Sequence, residues 1–345
     1  MGPDAFDFAL PPEQIAHAPA PQRAASRMLV LGSQRVHTHV HALREHLPPD
    51  ALVVVNQSKV VPARLHATRD DGRAFELLLC APGPGQGVGA SITAWVRNAK
   101  KLRPGQEVSV PGLRLAFVGP DAVDPRARVF TVVDGDVLTA CHAAGEIPLP
   151  PYIARPSGPD AEDAERYQTV FAAHEGSVAA PTAGLHLDAD MVAALDPATV
   201  TLHVGPGTFL PMEAEDVRDH KVGAERFSID ARCAARIQAA RDDGRPIVAV
   251  GTTVTRTLET LGREGGPLEA CSGTTDLVIT PGHRFSVVTH LMTNFHLPKS
   301  SLLMLVCSLG GRERVLAAYE DAVAQGYRFY SYGDCMLICP QESSS

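Results

Sequence analysis

Pro246-Ile-Val-Ala-Val-Gly-Thr-Thr-Val-Thr-Arg256 decides the fold class. Ile247 to Val250 is an uninterrupted apolar run, the pattern of a strand buried on both faces. One glycine follows, and Thr252 to Leu261 then has the spacing of a helix. A strand passing through one residue into a helix is the half-unit of an α/β layer. Thr252 or Thr253 is placed to cap that helix and leave free amides facing an anion or nucleotide. Neither GxGxxG nor GxxxxGK[ST] is present, which supports neither a dinucleotide fold nor a P-loop. An ordinary threonine cap is the competing reading.

Working outward, the same alternation continues. Ile229 to Asp243 reads as a helix closed by Gly244, and Asp276 to Gly282 and Val287 to Phe295 as strand candidates. Arg312 to Gln325 is an amphipathic helix with Val315, Tyr319 and Val323 on one face. Upstream, Leu52-Val-Val-Val-Asn56 is a buried strand and Val137 to Ala144 a short helix ending near Gly145. Residues 66–135 have a different texture. Phe75 to Leu79, Ile92 to Val96, Leu113 to Val118 and Val129 to Val133 are short β-rich runs separated by glycine and proline turns. The expected architecture is an α/β main domain (1–65 and 136–345), mixed and barrel-like, carrying an inserted small all-β barrel domain (66–135).

Composition is that of an ordinary globular protein of 345 residues, 45% hydrophobic and 20% charged. No apolar run reaches the length of a membrane span, and the N-terminus lacks a signal-peptide layout. Seven scattered cysteines without a CxxC pair read as reduced thiols in a cytoplasmic protein. A net charge of −8 argues against indiscriminate nucleic-acid binding but not against a local basic patch.

The chemistry concentrates in two loops, Gly176-Ser-Val-Ala-Ala-Pro-Thr-Ala-Gly-Leu-His186 and Thr201-Leu-His-Val-Gly-Pro-Gly-Thr-Phe209. Their glycines, prolines, threonines and histidines suit rigid loops that bring amides and imidazoles to a ligand. His186 and His203 lack metal-ligand spacing, so hydrogen-bonding or acid/base roles are expected and no metal is. Asp219 to Glu225 adds an imidazole and a carboxylate, read against an exposed charged loop. Asn294-Phe-His296 follows an apolar strand, a frequent active-site position in α/β proteins. The aromatic segment Tyr327 to Asp334 offers rings for a base or sugar, or else a terminal strand of the core. Arg97-Asn-Ala-Lys-Lys-Leu-Arg103 is the densest basic cluster and faces phosphates in the functional reading, solvent in the other.

Together and in order, these blocks resemble the S-adenosylmethionine:tRNA ribosyltransferase-isomerase family of queuosine biosynthesis. The resemblance runs from Phe6 to Ile338. It is carried by Ile15-Ala-His17 with Arg23 and Arg27, Asn56 through Pro62-Ala-Arg-Leu65, Pro148-Leu-Pro-Pro-Tyr-Ile153 and Arg166-Tyr-Gln-Thr-Val170. It continues through Val178 to His186, Thr201 to Gly205, Gly207-Thr-Phe209, Ala249 to Thr253, Thr293 to Pro298 and Tyr332-Gly-Asp334. Two positions depart from the family pattern. Gly223 stands where members usually have a second histidine, and Asn56-Gln-Ser-Lys59 replaces an Asn-Asp-Thr-Arg or Asn-Asn-Thr-Arg run.

The resemblance implies a transferase that donates the ribosyl carbons of S-adenosylmethionine to 7-aminomethyl-7-deazaguanine at the anticodon wobble position of tRNA. The products are epoxyqueuosine-tRNA, adenine and methionine. S-adenosylmethionine is then a consumed co-substrate, with no permanently bound cofactor, no membrane and a monomer as the working unit. A base must take a proton beside the sulfonium, an acid must help adenine leave, and donors must hold the sugar oxygens. The titratable groups offered are His186, His203, Glu225, His296 and Asp334. Arg64, Thr182, Gly184, Gly205, Thr208, Thr252, Asn294 and Tyr332 are expected to bind substrate, and Arg97, Lys100, Lys101 and Arg103 to meet tRNA. The rival expectations are a paralogue with a small-molecule acceptor and an inactive nucleoside- or tRNA-binding protein.

Overall fold

The computed structural model describes residues 2–340 except 157, 210, 211, 213, 215 and 264, with the side chains of 209 and 218 also outside the description. In chain order the first ten strands are β1 (Arg27–Leu31), β2 (Arg35–His39), β3 (Leu52–Asn56), β4 (Ser58–Val60), β5 (Arg64–Thr68), β6 (Ala74–Leu79), β7 (Ser91–Val96), β8 (Glu107–Val110), β9 (Leu113–Pro120) and β10 (Ala127–Gly135). Then come α1 (Val137–Ala144), α2 (Ala161–Arg166), β11 (His174–Ser177), α3 (Ala189–Leu195), β12 (Ala198–Leu202), β13 (Glu225–Ile229), α4 (Ala231–Asp242), β14 (Ile247–Val250) and α5 (Thr252–Gly262). The chain finishes with β15 (Cys271–Thr275), β16 (His290–Asn294), α6 (Ser301–Gly310), α7 (Arg312–Ala324) and β17 (Cys335–Ile338).

Nine strands form one mixed sheet in the order β15-β13-β12-β3-β14-β16-β17-β1-β2. Its centre is parallel: β3 lies between β12 and β14, and β14 pairs β16. Every residue of β3 and β14 is buried, as their continuous apolar runs require. One apolar cluster, with Val54, Ala249, Leu258 and Phe295, covers one face of the sheet; another, with Val53, Val248, Met292 and Leu187, covers the other. This sheet is open, with β15 and β2 as its edges, so the barrel-like expectation for the main domain is corrected. The closed sheet is the insert: β10-β7-β6-β5-β8-β9 is an antiparallel barrel around Leu65, Leu77, Leu115 and Phe130. Its strands begin at Arg64 and end at Gly135.

Three local readings change. Ile229 ends a strand, and the helix after it starts at Ala231 behind an Asp230 cap that accepts from the Cys233 amide. Glu-Arg-Phe-Ser-Ile alternates buried and open positions from Glu225 on, a period of two that the following helix obscured. The edge strand is Cys271–Thr275, and 276–280 runs on without pairing. Tyr327 to Asp334 is a turn leading into β17.

Candidate active site

A cleft opens where β14 and β16 end, beside the loops that follow β11 and β12; Thr182, Thr208, Thr252, Asn294 and His296 line it. Carboxyl ends of parallel strands are where open α/β sheets bind ligands. Gly251 makes the turn from β14 into α5 with φ +97°, a conformation that side chains with a Cβ rarely adopt. Gly251 itself occupies the cap position and neither threonine hydroxyl caps the helix, which corrects the expectation for Thr252 and Thr253. Thr253 instead meets the Asn56 amide at 3.4 Å, tying α5 to β3. The first turn of α5 therefore faces the cleft with its amides, the positive end of the helix.

One turn further, Arg256 is a cleft residue that the sequence reading left without a role. Its Nε donates to the Leu277 carbonyl at 2.9 Å, and its Nη1 pairs with the buried carboxylate of Glu225. The other Glu225 oxygen accepts from the Gly205 amide at 2.9 Å. Glu225 thus sits behind the cleft, neutralising Arg256 and anchoring the loop that carries Thr208.

Asn294 is almost fully buried. Its Nδ2 lies 3.1 Å from the Tyr330 carbonyl and 3.0 Å from His186 Nε2, while its Oδ1 has no partner among the described residues. Burial pushes the His186 pKa down to about 4, helped by the charges of Arg328 and Arg23. His186 is therefore neutral near pH 7 and accepts from the amide, which fixes the amide's orientation. His296 is the one imidazole among the residues lining the cleft. Its Nε2 is 2.9 Å from Thr293 Oγ1, its amide donates to Tyr319 Oη, and burial pushes its pKa down to about 3.

Tyr330 and Ser331 form the opposite wall. Tyr330 has φ +77°, an outlier for an aromatic residue, and the turn that imposes it is tightly bonded. The Asp334 carboxylate accepts from the backbone amides of Arg27 and Arg328 at 2.9 and 2.8 Å. Asp334 holds this turn and does not line the cleft. Tyr332 lies behind it, edge-on to Tyr167 at 5.9 Å, with its hydroxyl unpartnered among the described residues. Gly184 serves packing: a Cβ there would come within 2.7 Å of Phe171 Cζ.

The remaining expected residues lie elsewhere. His203 lines a second groove with Lys59, His174 and Glu175. It leans over Gly176, where a Cβ would meet its Nδ1 at 2.7 Å, and burial lowers its pKa to about 4, with Arg226 and His174 adding to the shift. Arg64 opens the barrel, its Nη2 3.5 Å from the Leu149 carbonyl. Lys100, Lys101 and Arg103 lie after β7 at the barrel end remote from Arg64 and Gly135, where Arg69 Nη1 donates to the Lys101 carbonyl. Arg97 is exposed and 4.0 Å from Glu76. Gly223 is exposed, with open space around it and no part in the cleft. Arg256 and Tyr167 are polar cleft residues to which the sequence reading gave no role.

An open α/β sheet with a polar cleft at its strand ends and an inserted barrel defines an α/β enzyme with a ligand-binding cleft. The family described as "Queuosine biosynthesis protein" matches residues 3–338, and the chain belongs to it. It is 46% identical to an S-adenosylmethionine:tRNA ribosyltransferase-isomerase of Anaeromyxobacter dehalogenans, over 96% of this chain and 98% of that one. It is 42% identical to the enzyme so named of Sphingopyxis alaskensis, over 99% and 98%. The crystal structure of an S-adenosylmethionine tRNA ribosyltransferase from Thermotoga maritima aligns over 97% of this chain and 99% of its own, at 32% identity and a TM-score of 0.54. Among the described residues no helix is long and apolar enough to cross a membrane.

Proposed function

We propose that this protein transfers and isomerises the ribosyl moiety of S-adenosylmethionine onto 7-aminomethyl-7-deazaguanine in tRNA, releasing adenine and methionine. Near-full-length similarity to relatives of that name supports this reading over a small-molecule paralogue or an inactive binding protein. The position of Gly223 also favours it, because the missing histidine is not a cleft residue.

The observation that carries the site assignment is the convergence, in one cleft, of the first turn of α5, Arg256, an Asn294 carbonyl without a partner among the described residues, and neutral His296. His296 is the imidazole that lines the cleft and takes the proton beside the sulfonium; burial makes it a weak base before substrate enters, so the acidity that the sulfonium confers on that C–H has to drive the transfer. The α5 amides, with Arg256 held by Glu225, face electron-rich oxygens of the substrate. The Asn294 carbonyl accepts from a substrate N–H or O–H. Glu225, His186 and Asp334 are then positioning residues. S-adenosylmethionine enters as a consumed substrate and leaves as adenine and methionine, its ribosyl carbons staying on the tRNA; the protein works in the cytoplasm where its tRNA is made, and one chain supplies the whole cleft.

The test is adenine release from S-adenosylmethionine with and without tRNA carrying the deazaguanine. Release that requires this tRNA is expected. Release that ignores it but depends on a small acceptor refutes the reading. His296→Gln should also abolish solvent exchange of the hydrogens beside the sulfonium; exchange at the wild-type rate removes His296 as the base.

A further inference from the structure

Three arginines converge on one exposed loop beside the cleft, and a fourth extends from its end. Arg155 Nη2 donates to the His17 carbonyl and Arg328 Nη1 to that of Ala18, each at 3.3 Å. Arg166 donates to the carbonyls of Ala20 and Pro21. From the loop's far end, Arg23 reaches back to the carbonyls of Gln168 (2.8 Å), Glu165 and Leu185 (3.2 Å each). Arg23 and Arg166 make no ion pair among the described residues. Their like charges oppose each other: burial, then Arg166, pulls the Arg23 pKa down, while Glu165 acts the other way. Carbonyls of an exposed loop are satisfied by water at little cost, so holding one loop does not account for the crowding of Arg23 and Arg166. Each guanidinium carries five N–H donors, and these contacts leave several free. The two buried carboxylates nearby are already engaged, Asp163 by Arg155 at 2.8 Å and Asp334 by backbone amides and, at 3.9 Å, by Arg328 Nη2.

Aromatic rings run along the same face. His17 lies 6.3 Å from Tyr152, and Tyr152 lies 4.3 Å from Tyr330. Tyr330 is itself a wall of the cleft. Guanidiniums with spare donors beside a row of rings suit single-stranded RNA, whose phosphates take the former and whose unstacked bases take the latter.

We infer that the face built by His17, Arg23, Tyr152, Arg166, Arg328 and Tyr330 is where the anticodon loop docks, feeding the wobble base past Tyr330 into the cleft. This rests on the tRNA reading above and relocates the principal RNA contact from the far end of the barrel to the rim of the cleft. The face explains how a chain of net charge −8 can hold RNA: the contact is local and bidentate, not a general positive field.

The test compares Arg166→Gln, Arg328→Gln, their Lys counterparts and Lys100→Ala/Lys101→Ala in binding an anticodon stem-loop across a salt series. Each Gln variant should lower the slope of log affinity on log salt by about 0.7 to 0.9, roughly fivefold to eightfold in affinity at 0.1 M salt. The Lys variants should keep the slope, and the barrel variant should match wild type. Lys variants that lose as much as the Gln variants, with lowered melting, make these arginines loop anchors only and overturn the inference. So does a slope carried by Lys100 and Lys101. A wild-type protein that binds no stem-loop overturns the tRNA reading itself. Independently of any substitution, a stem-loop with a photoreactive base beside the wobble position should crosslink to peptide 15–27, 150–156 or 327–334. Crosslinks confined to the barrel refute the placement.

Discussion

Glu225→Gln separates what the buried ion pair does for the fold from what it does for the reaction. Arg256 and Glu225 are each about nine-tenths buried, so neither charge is relieved by water when the other is removed. Removing one partner of such a pair costs about 3–5 kcal/mol. Gln retains an acceptor for the Gly205 amide, and Arg256 keeps its carbonyl partners Leu277 and Thr275, which places the loss near ~3 kcal/mol. At roughly 2 °C per kcal/mol for a chain of this size, the melting midpoint should fall by about 6 °C. Removing the cation too, in Glu225→Gln/Arg256→Met, should recover much of that loss, since the unpaired charge is its source. Turnover should not recover, because the guanidinium is part of the cleft. Loss of a charge-assisted bond of about 1.5–3 kcal/mol corresponds to adenine release roughly 10- to 100-fold slower. Melting curves and adenine-release kinetics are measured on the wild type and both variants. A double variant that melts no higher than Glu225→Gln refutes the buried-charge argument, and wild-type turnover in the double variant refutes the role of Arg256.

The His186 pKa of about 4 lies below the ordinary 6.5, so the unfolded chain takes up this proton first. Its contribution to stability is complete above about pH 6.5 and is lost as pH falls toward 4; His186→Gln should flatten the melting midpoint across that window, and an unchanged slope would show that His186 is not held neutral. Gly176→Ala combines φ +144° with a Cβ 2.7 Å from His203 Nδ1. It should cost about 1–3 kcal/mol and displace the imidazole, seen as lowered melting and a His203 proton resonance that titrates nearer the ordinary value; an unperturbed resonance would contradict this packing. Gly223→His places a side chain in open space. It should change stability by no more than about 0.5 kcal/mol and leave tRNA-dependent adenine release intact; a large change in either would bring residue 223 into the working site.

The architecture was legible where local pattern and final environment agree. Ile247 to Val250 and Leu52 to Asn56 are buried on both faces, so apolar runs announced them, and the barrel strands alternate as half-buried strands do. The site was legible only as residue types. Asn294, His296, Thr182, Thr208 and Thr252 meet in the cleft because β14, β16 and the two loops end at one edge of the sheet, a matter of strand order that no local pattern carries. Asp334 shows the limit from the other side. An acidic residue in a motif reads as chemistry, yet its oxygens are taken by the amides of Arg27 and Arg328, residues 307 and 6 positions away. Arg256 is the converse. A lone arginine inside a threonine-rich helix carries no sequence signal, and becomes informative only when Glu225, on a strand obscured by the following helix, is found opposite it. The residues that line the cleft and those that aim them are thus separated by long-range hydrogen bonds, and those bonds, not residue identity, distinguish a group free to meet substrate from one that holds the wall in place.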